Sequence, residues 1–252
     1  MKSATYVPQQ VLRRAAQVAW ITAYGAVTPE AFAEREQVSV AVAGERLDEA
    51  VQRGLLKRES VLTAYSALYT VTSDGRRLAR RYAHAGEYAY PKGLRTRVVS
   101  IKEVRHTIAC AGVRAALERR YPDCRTIGEL ELCRDEGLQK RRLASVEIRG
   151  TGRRQSHSPD LVIWPQDEPD APPLPVAVEV ELTIKAKAEL VANVRAWARC
   201  RRVEAVIYFA ETRAIEEKLR DAIDRCKAER RVVVNPLREI LQPQPGFPLL
   251  DD

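Results

Sequence analysis

Asp160 ends the polar run Ser156-His157-Ser158-Pro159 and opens an apolar segment, Leu161-Val162-Ile163-Trp164. Nineteen residues later, Glu179 and Glu181 sit inside a second apolar segment, Val176-Ala177-Val178-Glu179-Val180-Glu181-Leu182. Ionised carboxylates in such surroundings cost several kcal/mol unless they are solvated, paired or bound to a cation. Both segments read as strands. Strand side chains alternate, so Val176, Val178, Val180 and Leu182 share one face while Glu179 and Glu181 share the other. The acids are therefore expected to converge.

The elements around them are read from periodicity. Ile101 to Arg120 forms a long helix, ended by Tyr121-Pro122. Strands are expected at Arg125 to Cys133, Leu143 to Arg149, Asp160 to Trp164 and Val176 to Leu182. A helix from about Ala186 to Arg199, a strand Val203 to Phe209, a helix Ala214 to Arg230 and a strand Arg231 to Val234 follow. A helix, a run of strands, then helix and strand again make a mixed α/β sheet with helices packed on it. Gly150-Thr151-Gly152-Arg153-Arg154 is expected to be a basic hairpin loop, and His157 a loop residue rather than a ligand. Trp164 and Trp197 are expected in the core.

Ahead of this lies a different pattern. Pro8 to Tyr24 is helical by spacing and closes at Gly25, and Thr28-Pro29 caps a short helix to about Glu36. Ser39 caps a third helix through Arg53, stopped by Gly54. Leu55 to Arg58 and Ala67 to Val71 read as two strands, and Thr72-Ser73-Asp74-Gly75 opens a helix through Tyr82. Residues 84–97 lack a sustained period and form the expected linker, giving domains at 1–83 and 98–252.

Composition bounds the answer. With 252 residues and 45% apolar content the chain can bury a sizeable core, so disorder is not indicated. Five cysteines, odd in number and without a zinc-ligand spacing, read as buried thiols of a reducing cytoplasm. No signal segment or membrane span is expected. Net charge is +8 with pI near 9.4, which suits a polyanionic partner, nucleic acid foremost. Residues 1–96 carry 14 basic and 9 acidic side chains, so the first part is relatively the more basic.

Residues 8 to 83 resemble a winged helix-turn-helix, most specifically at Arg53-Gly54-Leu55-Leu56 and at Leu68-Tyr69-Thr70-Val71-Thr72-Ser73-Asp74-Gly75. The resemblance implies double-stranded DNA as partner, with Arg46, Gln52 and Arg53 on the reading helix. Lys57, Arg58, Arg76, Arg77 and the Arg80-Arg81 pair would contact phosphates. Glu45, Asp48 and Glu49 on the same helix keep a protein partner as the alternative.

About residues 100 to 210 look like the PD-(D/E)xK nuclease superfamily: Pro159-Asp160 on one strand, Glu179-Val180-Glu181 on the next, then a helix and a further strand. The two parts together are similar to the replication-relaxation family of plasmid and mobile-element proteins. The resemblance implies metal-dependent hydrolysis of DNA phosphodiesters, with Asp160, Glu179 and the Val180 backbone carbonyl on Mg²⁺ or Mn²⁺. Glu131 or Glu129 would add a carboxylate, and Arg153 and Arg154 would meet DNA. At 181 the family pattern has lysine and this chain has glutamate. Either Glu181 binds a second ion or takes a proton from water, or Lys185 reaches back to replace the lysine. The alternative to a nuclease is an inactive nuclease-fold regulator or assembly factor. Cutting both strands would need two centres, so a homodimer is compatible with the reading.

Overall fold

The computed structural model describes residues 7–59, 67–83, 101–149, 154–165 and 174–241. The chain divides into two units, Met1–Ala111 and Gly112–Asp252. The expected linker 84–97 and the tip of the basic hairpin, including Arg153, lie outside the described residues.

In the first unit, local signals set the element ends. Helix α1 (Gln9–Tyr24) stops at Gly25, whose φ of 85° is a left-handed conformation that glycine adopts without a Cβ penalty. After the short strand β1 (Ala26–Val27), helix α2 (Pro29–Glu36) starts with the Thr28 side chain accepting the Ala31 N–H and proline at its first position. Helix α3 (Val40–Gln52) is capped by Ser39, and Gly54 at φ 70° turns the chain into strand β2 (Leu56–Glu59). Strand β3 (Leu68–Val71) pairs antiparallel with both β2 and β1, and Thr72 then caps helix α4 (Ser73–Tyr82). Gly75 is required by a close approach: a Cβ there would lie 2.2 Å from the Leu55 carbonyl oxygen. Trp20, Phe32, Leu47 and Tyr69 are fully or almost fully buried in this unit.

Helix α5 (Ile101–Arg120) begins in the first unit and ends in the second. Strand β4 (Cys124–Gly128) follows, then helix α6 (Glu129–Gln139), the hairpin β5 (Val146–Arg149) and β6 (Arg154–His157), and strands β7 (Leu161–Pro165) and β8 (Val176–Glu181). Helix α7 (Lys187–Ala198), strand β9 (Ala205–Ala210), helix α8 (Arg213–Cys226), strand β10 (Val232–Pro236) and helix α9 (Leu237–Leu241) complete the unit. The five-stranded sheet has the order β10-β9-β8-β7-β4. It is mixed: β4, β7 and β8 form an antiparallel meander, while β9 and β10 run parallel to β8. The fold is α/β.

Val162, Ala177, Val206 and Tyr208 on one sheet face pack with Leu190, Val194 and Trp197 of α7 and with Ile215 and Leu219 of α8. Burying such side chains contributes about 1.5–3 kcal/mol each, which fixes the strand register, since a one-residue slip would turn this row outward.

Three expectations are corrected here. The strand expected from Arg125 to Cys133 ends at Gly128, and Glu129 begins α6. Glu-Leu-Glu-Leu alternates like a strand, but its straight-chain residues suit a helix and its two acids complement the helix N-terminus. The expected strand Leu143 to Arg149 starts only at Val146, because the Leu143, Ala144 and Ser145 N–H groups all donate to Glu136 Oε1 at 2.8–3.0 Å. His157 is a strand residue of β6, paired with Val146, rather than part of a loop.

Candidate functional site

The site lies where β7 and β8 part. Their ladder ends at Leu161 opposite Val178, and Pro159 has no N–H with which to extend it. Beyond that point the Asp160 carboxylate takes over, accepting the Val180 N–H at 2.7 Å. Continuing the register places Asp160 opposite Glu179. Asp160 shares the sheet face of Val162, and Glu179 and Glu181 share that of Ala177, so the three acids lie on the face packed by α7. The convergence expected from alternation is present.

Glu179 and Glu181 are each only 5% exposed, and each is met by a base. His157 Nε2 is 2.6 Å from Glu179 Oε1, and Trp197 Nε1 donates to the same oxygen at 3.1 Å. Lys185 Nζ is 2.6 Å from Glu181 Oε2. Among the described residues no arginine pairs with Glu179 or Glu181. Lys185 follows β8 by four residues, and its ammonium meets the Glu181 carboxylate.

The electrostatics follow from this packing. Burial pushes the Glu179 carboxyl above the usual carboxylate range, with the charge of Asp160 adding to it, against the opposing pull of His157. Burial also disfavours the His157 imidazolium, but the charge and hydrogen bond of Glu179 outweigh it, and the net shift is upward. Each partner thus favours the charged form of the other, and burial opposes both charges. Burial likewise works against the Lys185 ammonium, yet Glu181, then Glu179 and Asp160, hold its pKa up. Tyr208, beside Glu179 on β9, is pushed well above its ordinary value by burial and by the same three acids.

The residues fit a divalent cation. Asp160 and Glu179 offer hard oxygen donors of the kind that Mg²⁺ and Mn²⁺ take. Both hydrogen bonds to Glu179 fall on Oε1, and Oε2 accepts none among the described residues. The buried Tyr208 hydroxyl lies beside Glu179 and next to the Trp197 indole.

A cleft of about 820 Å³ adjoins Asp160, lined also by His157 and Glu129 and by the exposed Lys140, Arg141 and Arg142. Glu129, in the first turn of α6, thus remains beside the site although it is not on a strand. Glu131 does not. Its carboxylate is buried against the Arg114 guanidinium at 2.8 Å and also accepts the Gly128 N–H at 2.9 Å. Helix formation at 129 turned it away, and the reading of Glu131 as a metal ligand is corrected.

The expected DNA contacts of the first unit are largely engaged with its own acids. Arg53 donates twice to Glu49, which Arg14 also contacts. Arg46 lies 3.9 Å from Glu36, Arg58 lies 3.8 Å from Asp48, and Lys57 lies 2.9 Å from Glu59. Arg76 donates to the Val71 carbonyl and Arg77 to Asp74. Gln52 is exposed. Arg154 falls on β6 rather than in the loop, and its side chain lies outside the described residues.

Sequence reasoning missed His157 and Tyr208 and took Trp197 for core alone. Trp197 is fully buried as expected, but its indole N–H is spent on Glu179. The signal for His157 was its place three residues before Asp160; nothing in the sequence pointed to Tyr208, which strand pairing brings beside Glu179.

No protein-family model matches the chain, and no curated protein does. Among solved structures, the crystal structure of protein VC1899 from Vibrio cholerae is similar at 9% identity and a TM-score of 0.32, over 94% of this chain and 55% of that one. The chain spans about half the length of that protein. No helix among the described residues is long and apolar enough to cross a membrane.

Proposed function

We propose that the chain is a DNA-binding protein whose second unit, a PD-(D/E)xK nuclease-like domain, hydrolyses phosphodiester bonds with Mg²⁺ or Mn²⁺. The observation that carries this is Asp160 opposite Glu179 where two buried strands part, with the Lys185 ammonium delivered to Glu181 beside them. Strand order supports the reading as well: a meander β4-β7-β8, then α7 and the parallel strand β9, fits the superfamily's arrangement of a sheet carrying its acids on the second and third strands.

Asp160, Glu179 and the Val180 carbonyl would hold the ion. When bound, it supplies a nucleophilic water at neutral pH and charge stabilisation at the attacked phosphate. The remaining work falls to side chains. The Val180 N–H fixes the Asp160 carboxylate, and His157 and Trp197 fix that of Glu179. Lys185 stays protonated, so it serves as a fixed positive charge and donor near the phosphate rather than as a base. Glu181 positions that ammonium. Lys140, Arg141 and Arg142 grip the sugar-phosphate backbone in the cleft.

For the first unit the proposal is a winged helix that places the molecule on duplex DNA, with α3 as reading helix and β2–β3 as wing. The order of its elements, and the pairing of β1 onto the wing, support this. A part in replication or transfer of plasmids or other mobile elements rests on the family resemblance.

Supercoiled plasmid with Mg²⁺ or Mn²⁺ should yield open-circular or linear product, and Asp160→Ala should abolish it. Plasmid that stays intact at high protein contradicts hydrolysis. Arg53→Ala should weaken duplex binding and lower the salt slope by about one; an unchanged slope would direct α3 to a protein partner. A second reading, an inactive nuclease-fold regulator, is favoured by one observation: the side chains of His157 and Lys185 pair with Glu179 and Glu181. Tight duplex binding without cleavage would select it.

A further inference from the structure

A second cavity of the second unit, about 460 Å³, opens between the end of α7 and the β5 strand. Five arginines line it, Arg142, Arg195, Arg199, Arg201 and Arg202, against one acid, Glu147, which lies 3.3 Å from Arg142. Arg195, Arg199 and Arg201 are exposed and pair with no acid among the described residues. Arg202 spends one terminal nitrogen on the Ser145 carbonyl at 2.7 Å, and its buried Nε has no partner there.

The neighbouring helix offers a contrast. On α8, Arg213 pairs with Glu217, Arg220 with Glu216 and Arg225 with Asp221, each one turn away. In the groove only Arg142 has such a partner, Glu147, while Arg195, Arg199 and Arg201 have none among the described residues. The negative end of α7 accounts for cations in its last turn. It does not account for Arg142 on the facing segment or for Arg201 and Arg202 beyond the helix. Guanidinium groups that outnumber the carboxylates around them are matched to phosphate oxygens, which they bind in a planar, bidentate way.

Arg142 also lines the cleft that holds Asp160 and His157, so groove and cleft share a wall. We propose that the arginine groove holds the phosphate backbone of a DNA strand that continues past the cleft, as a track that keeps it in line with the acids. The inference rests on the proposed function for the identity of its polyanion and adds where the strand runs.

The test is binding of a short labelled duplex to the full chain in EDTA, across a salt series, so that cleavage does not enter. Replacing Arg195, Arg199 and Arg201 together by alanine should lower the slope of log affinity against log salt by about three, roughly one per lost phosphate contact. Arg199→Lys, which keeps the charge, should leave the slope near that of the unaltered chain and guards against a folding artefact. A triple variant that binds with an unchanged slope, while the unaltered chain binds well, overturns the track and leaves the nuclease reading standing. An unaltered chain that does not bind the duplex overturns both.

Discussion

Glu131 and Glu179 are both buried acids of the second unit, 1% and 5% exposed, and the molecule compensates them in different ways. Glu131 faces the permanently charged Arg114, itself fully buried, and takes a backbone N–H besides. Its surroundings are complete. Glu179 faces an imidazole that can lose its charge and an indole that never had one, both on a single oxygen. A guanidinium makes a lock, because it cannot be deprotonated at any working pH. An imidazole can lose its charge near neutral pH, so its hold on a carboxylate varies with pH. The buried Tyr208 also stands beside Glu179, whose charge helps push the Tyr208 pKa up.

The largest expected effect comes from breaking the lock. Arg114→Ala or Glu131→Ala should destabilise the fold by about 3–5 kcal/mol in urea unfolding, since each leaves an uncompensated buried charge. Replacing both by apolar residues of similar volume should recover most of that loss, as the desolvation cost of both ions disappears. Glu179→Gln should cost far less or even stabilise, because it removes a carboxylate that burial already disfavours. Equal losses at the two sites would erase the contrast.

An intermediate effect is expected from metal. Mn²⁺ at a hundred times its dissociation constant should stabilise the unaltered chain by about 2.7 kcal/mol, read as a rise in melting temperature. Glu179→Gln should remove that rise while Glu131→Leu paired with Arg114→Met should keep it.

The smallest effect is a pH dependence measured in EDTA. His157 has a folded pKa above its ordinary 6.5, so the folded state binds more protons than the unfolded state just above that pH. Its stabilising contribution is complete below about pH 6.5 and is lost as pH rises through the folded pKa. Glu179, also shifted upward, pulls in the same direction. Melting temperature should therefore decline from pH 6.5 upward and the decline should flatten in His157→Gln; an identical profile in the variant would show that the pair is not coupled.

What was legible in the sequence divides along the same line between local and distant causes. Thr28 and Ser39 as caps, the helix opening at 72–75, and Gly25 and Gly54 as stops act within a few residues, and each is found where the spacing put it. Alternation alone put Glu179 and Glu181 on one face. The start of α6 was not legible, because Glu129-Leu130-Glu131-Leu132 satisfies a strand period and Arg114, which buries Glu131, is 17 residues away. The partners of Glu179 were hidden for the same reason: His157 lies 22 residues before it and Trp197 lies 18 after. Lys185 was legible because its reach to Glu181 spans a single short turn.

The central claim is that Asp160 and Glu179 hold a divalent ion at a place now shared with a histidine. Calorimetric titration of Mn²⁺ into chelator-treated protein tests it most directly. The account requires saturable binding near one ion per chain for the unaltered protein, lost in Asp160→Ala and in Glu179→Gln. Binding that survives in both variants, or none in the unaltered protein, contradicts it.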